Sequence, residues 1–383
     1  MDLPREESLP RLDPSAAHLA DVAPSILAAM GVPGFEPRIE LPHDVGGACL
    51  LLIDGLGAEL LDAHADDAPV LAGLRGATLQ VGFPSTTAAG LAAVGTGCRS
   101  GEHGMVGMSF RLPDIGVINA LRWRPHPWGD DLRERAKPEV VQPRPTVFET
   151  AASTGVEVSV ISGAQFAGSG LTRAVLRGGD YVGVHTMGDL AATVREALAG
   201  GGFCYGYHAD LDLVGHLHGP GSDAWRLQLR QVDKLVESIV EGLPGAGLLA
   251  VVADHGMVAL DGDVVDIDAV EALHLGTEAI GGEVRARHVY TRPGALPDVL
   301  ATWRATLGER AWVVSGEEAI AAGWFGDRVS DQVRPRIGDI VAAARGSSGL
   351  LRRSTEPVES SLVGQHGSLT PAELKIPLLL AHR

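Results

Sequence analysis

Residues 48–57 read ACLLLIDGLG, an unbroken apolar run that closes on an aspartate and a glycine-rich turn. Apolar side chains at every position, rather than at every second one, mark a strand covered on both faces. GAELLDAHA, over 57–65, has the texture of a helix. Strand, acidic residue, loop and helix together make an α/β unit, and the pattern recurs. Thr78–Phe83 precedes a small-residue helix over Thr86–Val94, and Val156–Ile161 follows a helix over Val147–Ser153. Phe203–His208 runs into Asp210, and Leu248–Ala253 into Asp254. Strands that end repeatedly on polar residues predict a mainly parallel sheet whose reactive groups gather at its C-terminal edge.

Outward from these strands, residues 1–45 are expected to form an N-terminal helical extension, with a helix over 15–31 that stops at Gly31. Residues 46–257 and 336–383 are expected to build the α/β core. Between them, 258–335 change texture to VVDIDAV, EVRARHVYTRP and AWVVSGEEAIAAG. These short alternating strands and helices, free of any metal-like cluster, predict a small inserted α+β cap. The chain then returns to the core through a helix over Ile337–Arg345 and the apolar KIPLLLA of 375–381.

Composition narrows the partners. With 31 basic and 48 acidic residues the formal charge is −17, which repels duplex nucleic acid and leaves a small phosphorylated substrate as the expected partner. No apolar run approaches the roughly 20 residues that span a bilayer, so no membrane partner is expected; the oligomeric state stays open. Cys49, Cys98 and Cys204 are odd in number and widely spaced, which argues against a disulfide framework or a thiolate zinc site and for the cytoplasm.

Chemistry concentrates in GFPSTTAAGLAAVGTGCRSGEHG (82–104), where a strand ends at Pro84 and small residues build a helix. Ser85 is the expected N-cap. Thr86 and Thr87 then occupy the first turn, where free backbone N–H groups favour a phosphoryl anion. Capping alone would explain these threonines were they isolated, but they have company. Asp212 and His216 stand four apart, so one helical turn aims both at one cation. Asp254 and His255 end an apolar strand, and His366 lies between glycine-rich turns. His208, Asp210 and His218 fall at the rim of such a site, and His103 supports a ligand or a loop turn.

Two dications a few ångströms apart need about three protein ligands each. Asp54, Asp254 and His255 with the Thr87 oxygen make one set; Asp212, His216 and His366 make another with an open position. Nitrogen and oxygen donors without thiolate favour zinc, with manganese the alternative. LRWRPHPW (121–128) interleaves aromatic and basic residues, as a base-stacking segment would, but reads more simply as a loop packed on the core edge.

In these motifs the chain resembles the alkaline-phosphatase superfamily, and within it the type I phosphodiesterase/nucleotide pyrophosphatase branch. The matching residues are the DG at Asp54, FPSTTA…TG…HG over 83–104, D-x-x-x-H-x-x-G-P over 212–220, ADHGM over 253–257 and the HG at 366–367. The resemblance implies a three-layer sandwich, the same division of ligands, and a covalent phospho-threonine intermediate resolved by water. It also selects Thr87 over Thr86 as nucleophile, because the family's nucleophile lies ten residues before the glycine of the TG pair, here Gly97. Two places where related diesterases carry asparagine hold Gly90 and Met108, leaving Asn119 or the Thr87 N–H to contact phosphoryl oxygens. No arginine adjoins Thr87, which favours nucleotide-like diesters or pyrophosphates over monoesters unless Arg99 reaches the site. A phosphomonoesterase or phosphonate hydrolase is the alternative, with a phosphomutase or a metal-binding pseudo-enzyme behind it.

Overall fold

The computed structural model describes residues 9–383; the first eight residues of the expected N-terminal extension lie outside the described part. A seven-stranded sheet forms the centre, in the order Arg75–Gln80, Lys375–His382, Gly247–Val252, Gly47–Ile53, Phe203–His208, Val158–Gly163, Asp180–Val184. Gly47–Ile53 pairs in parallel with both neighbours, and Lys375–His382 runs antiparallel to the strands on either side of it. Every residue of Gly47–Ile53 and of Gly247–Val252 is buried, as unbroken apolar runs require.

Two helical layers bury the two faces. Phe203 and Tyr205 stack against Phe148 of the Val147–Ser153 helix. Gly206, on the opposite face of the same strand, lies against Val194 of the Met187–Ala199 helix. The Asp223–Glu241 helix reinforces that second layer by burying Trp225, Leu229, Val232, Val236 and Ile239 at spacings of three and four. In the N-terminal extension the helix is Val22–Ala29, and Gly31 adopts a φ of 74° just past its end. No helix among the described residues is long and apolar enough to cross a membrane.

A second sheet, of four antiparallel strands, has the order Thr277–Glu283, Ala286–Thr291, Ile340–Ala344, Ala311–Ser315. It carries its own apolar cluster with Trp303 and Leu307 of the Leu296–Leu307 helix. Ile340–Ala344 corrects the helix expected over Ile337–Arg345, and it takes the second sheet past the boundary expected at residue 335. The reason lies in its two faces. Ile340, Ala342 and Ala344 join the smaller cluster while Val341 and Ala343 join the main core, so the buried side chains alternate between two clusters, which overrides alanine's helical preference.

The two sheets are tied by a fully buried ion pair. Arg285 donates to both carboxylate oxygens of Glu373, at 3.0 and 2.7 Å, with neither side chain exposed. Glu373 also accepts from Ser368 N–H at 2.9 Å, holding the loop that follows His366. Removing one partner leaves the other charge buried and alone, so Arg285→Leu is expected to cost about 3–5 kcal/mol of stability in urea denaturation. A loss below about 1 kcal/mol, the range of a surface pair, would show that the pair carries no such weight.

Candidate active site

The C-terminal edge of the parallel strands collects most of the residues singled out above. Asp54 directly follows its strand, and its backbone N–H reaches His208 O at 3.0 Å. Leu52 is level with Val252, which brings Asp254 to the same edge two residues later. Gly55 N–H donates to Asp254 Oδ1 at 3.2 Å. The Asp210–His218 helix carries Asp212 and His216 on one side, with His216 Nε2 3.3 Å from Asp212 Oδ2. Val258 pairs with Gln365, so the loop after His255 runs beside the one holding His366. Their imidazoles stack with centroids 3.6 Å apart.

Thr87 opens the Thr87–Thr96 helix, and its Oγ1 lies 3.3 Å from His255 Nε2. The N-cap position belongs to Thr86 rather than to the expected Ser85. Ser85 instead donates to Ser368 O at 2.8 Å and accepts from Gly367 N–H at 3.2 Å, because its buried hydroxyl faces the returning chain. Gly90 also gains an explanation. A Cβ there would stand 2.5 Å from Asp254 Cβ, so the helix approaches the Asp254 strand too closely for asparagine at this position.

Donor atoms of Asp212, His216 and His366 all lie within 4.8 Å of one another, and so do those of Asp54, Asp212 and His255. Asp212 therefore faces both expected ligand sets, and Asp254 Oδ2 joins them 3.7 Å from His255 Nε2. Nδ1 of His216, His255 and His366 approaches the carbonyls of Gly364, Gly256 and Ser85 at 2.7, 2.9 and 2.9 Å. A carbonyl can only accept, so each Nδ1 carries the proton and each Nε2 turns a lone pair toward the cluster.

The carboxylates show the complementary deficit. Asp54 Oδ1, Asp212 Oδ1 and Asp254 Oδ2 are buried with no hydrogen-bond donor. Burial, together with the charges of Asp254 and Asp212, pushes the Asp54 carboxyl well above its usual range, and burial raises Asp254 as well. Asp212 moves the other way. Burial opposes its ionisation, but the neighbouring His216, aided by His366 and His255, outweighs burial and holds it low. His366 is depressed by burial and by its neighbour His255, so it stays neutral and able to coordinate. Three donor-starved oxygens facing three imidazole lone pairs fit divalent cations, and the donor set is one of nitrogen and oxygen alone.

The remaining expectations are placed elsewhere. Asn119 Oδ1 accepts from Arg122 N–H at 2.9 Å and closes a turn. Arg99 lies 3.6 Å from Asp21, on the side of the N-terminal helix. His208 is buried beside Gln228 at 3.3 Å, while Asp210 and His218 are exposed at the rim. Burial lowers His103 to about 3, and its Nδ1 accepts from Met105 N–H at 3.1 Å, so it is a neutral loop anchor. In the 121–128 segment Trp123 is buried and His126 pairs with Glu356 at 2.8 Å, while Leu121, Arg122, Arg124 and Trp128 are exposed. A groove of about 890 Å³ lined by Arg111, Tyr290, Ser315 and Arg334 contains none of the clustered groups.

Two residues of the site had no motif to mark them. Tyr207 donates its hydroxyl to Asp54 Oδ2, yet in FCYGYH it reads as one more apolar strand position; only its register with Leu52 brings it to Asp54. Glu283, from the second sheet, is buried beside Thr86 and Met108. It stands among scattered charges in GGEVRARH, which carry no spacing signal.

Among comparisons with known proteins, a family model described as type I phosphodiesterase / nucleotide pyrophosphatase matches residues 48–369. No curated protein matches the chain by sequence. Among solved structures, murine ectonucleotide pyrophosphatase/phosphodiesterase 5 superposes with a TM-score of 0.66 at 16% identity, covering 88% of this chain and 87% of that one. An inactive form of the murine protein, in complex with AMP, gives 0.64 at 17%, over 88% and 87%. Phosphonoacetate hydrolase from Sinorhizobium meliloti 1021, in complex with phosphonoformate, gives 0.64 at 20%, over 88% and 90%. At these identities the likeness establishes a shared α/β fold.

Tyr207 yields a direct test of the cluster. Tyr207→Phe removes the donor that orients Asp54 and is expected to weaken divalent-metal binding roughly 10–100-fold in calorimetry. Unchanged affinity would place Asp54 outside the cation site.

Proposed function

The chain belongs to the type I phosphodiesterase/nucleotide pyrophosphatase family, whose members are phosphoric ester hydrolases, and we propose that it cleaves phosphodiester or pyrophosphate bonds of small nucleotide-like substrates through Thr87. The observation that carries this reading is the Thr87 hydroxyl at a helix N-terminus, 3.3 Å from His255 and beside three donor-starved carboxylates. Asp54, Asp254 and His255 with Thr87 would hold one cation, and Asp212, His216 and His366 a second. Zinc suits these donors best, with manganese next. Such a pair lowers the pKa of a hydroxyl or water and stabilises a departing oxygen.

The chain's own groups divide the remaining work. Thr87 Oγ1 forms a bond to phosphorus as the bond to the leaving oxygen breaks, and its proton passes through solvent to the departing oxygen, giving a phospho-threonine and the freed alcohol or phosphate. Water then attacks the same phosphorus, releasing the product and restoring the Thr87 hydroxyl. The N–H groups of Thr87 and Ala88, which precede the first hydrogen bonds of the helix, those of Ala89 and Gly90 to Thr86 O, receive the phosphoryl oxygens. Gly364, Gly256 and Ser85 carbonyls keep the three imidazoles in the one tautomer that coordinates. Cys49 and Cys204 lie level on adjacent strands as free, buried thiols, which supports a cytoplasmic location.

Thr87→Ala is expected to lower turnover of bis(4-nitrophenyl) phosphate by roughly 10³-fold or more while leaving metal content unchanged. Retention of most activity would remove Thr87 from the scheme. Exhaustive chelation should abolish turnover, and added zinc or manganese should restore it; activity that survives a verified metal-free state contradicts the two-cation reading. Phosphonoacetate cleaved faster than any diester would favour the phosphonate hydrolase alternative.

A further inference from the structure

Glu283 is the last residue of a second-sheet strand and is 5% exposed. It reaches the site from the side opposite the parallel sheet edge. Its side chain packs against Gly367, where a Cβ would meet Glu283 Cγ at 2.8 Å, and Gly367 follows His366. On its other side Met108 N–H lies 3.5 Å from Oε1, and the Thr86 hydroxyl favours its ionised form. Thr86 immediately precedes Thr87. The carboxyl is thus flanked by the neighbours of a nucleophile and of a ligand, and its charge is felt at both His255 and His216.

No arginine or lysine among the described residues stands within ion-pair distance of it. The two nearest cations along the sheet are engaged: Arg285 with Glu373 at 2.7 Å, and Arg287 with Glu356 at 2.8 Å. Arg99 and Asn119, the groups expected to meet the phosphoryl oxygens, are turned to Asp21 and to a turn. A buried acid without a cationic partner is costly to fold. Burial accordingly pushes Glu283 up to about 7, against the pull of the Thr86 hydroxyl and the Met108 N–H, so the carboxylate is the form present above that pH.

We propose that Glu283 determines which phosphoryl charge the site accepts: its carboxylate beside the Thr86–Thr87 helix start admits singly charged diesters and turns away the second charge of a monoester. The inference rests on the hydrolase reading above. Both ester classes are drawn by the same cations, whereas a monoester, whose second ionisation falls near pH 6, carries the extra charge that a fixed anion repels. Glu283 acts on this difference alone, so it shifts the ratio between substrates rather than the rate on both.

The test uses the metal-loaded full chain, with bis(4-nitrophenyl) phosphate and 4-nitrophenyl phosphate as substrates and inorganic phosphate as a calorimetric ligand. Wild-type protein should favour the diester. Glu283→Gln should raise monoester kcat/KM relative to diester by roughly tenfold, mainly through KM, and tighten phosphate binding by a similar factor. Glu283→Asp, which keeps the charge, should keep the wild-type ratio. Met108→Lys, which sets a cation beside the same carboxylate, should move the ratio as Gln does and decides the matter if Glu283→Gln does not fold. An unchanged ratio with unchanged phosphate affinity overturns the proposal, as does an equal shift in the Gln and Asp variants, since shape would then be the cause. Phosphate binding needs no turnover. Loss of the Thr87 scheme, seen as an active Thr87→Ala variant, is therefore distinguishable from a failure of the Glu283 proposal.

Discussion

Three carboxylates crowded onto one buried edge repel each other, and the rest of the molecule is arranged around that repulsion. Asp54, Asp212 and Asp254 each keep one oxygen out of water and without a donor, and the ion-pair partners they have are histidines. A chain can hold such a cluster only if rigid elements fix every member. Here two parallel strands, a short helix and a glycine-flanked loop do so, and backbone carbonyls fix the imidazoles. The arrangement is incomplete as a purely protein structure, which is why the chemistry of its donors points to cations so directly.

Much of this could be read from the chain because the site's parts sit where strands end. Asp54 and Asp254 follow fully apolar runs, so one pattern located both a strand and its reactive terminus. Asp212 and His216 were legible through helical spacing. His366, a lone loop histidine, was readable only in company with the other donors, and its resemblance to a known HG agreed with that placing. What escaped was set by register and by contacts between sheets. Tyr207 serves Asp54 because of its level beside Leu52, and Glu283 arrives from a separate sheet; neither fact leaves a trace in local spacing. The mistaken helix over Ile337–Arg345 has a related origin, since a strand between two apolar clusters shows the same unbroken apolar letters as a buried helix.

The likeness to solved structures at 16–20% identity is one of fold, and the close approaches within this chain show where that fold constrains the sequence. The sheet order and the helix carrying Thr87 demand small residues at close approaches, Gly90 against Asp254 and, tighter still, Gly95 against the Val175 carbonyl among them. Side chains above the sheet edge are under no such steric demand, so neighbours of one fold can differ in the polar groups that meet a substrate. The second sheet brings Glu283 beside Thr86 and Met108, and its buried Arg285–Glu373 pair binds it to the loop behind His366. On the proposed reading, selectivity and metal holding come from different layers of the molecule.

Ser85 reaches across 282 residues to Gly367 and 283 to Ser368, and Gly55 across 199 to Asp254. Such distant partners cannot meet until nearly the whole polypeptide has left the ribosome, and closing loops of that length is slow. The hydroxyl and its surrounding acids are therefore among the last parts of the molecule to come together. A copy of the chain that ends before residue 366 lacks His366 and the loop on which Ser85 closes.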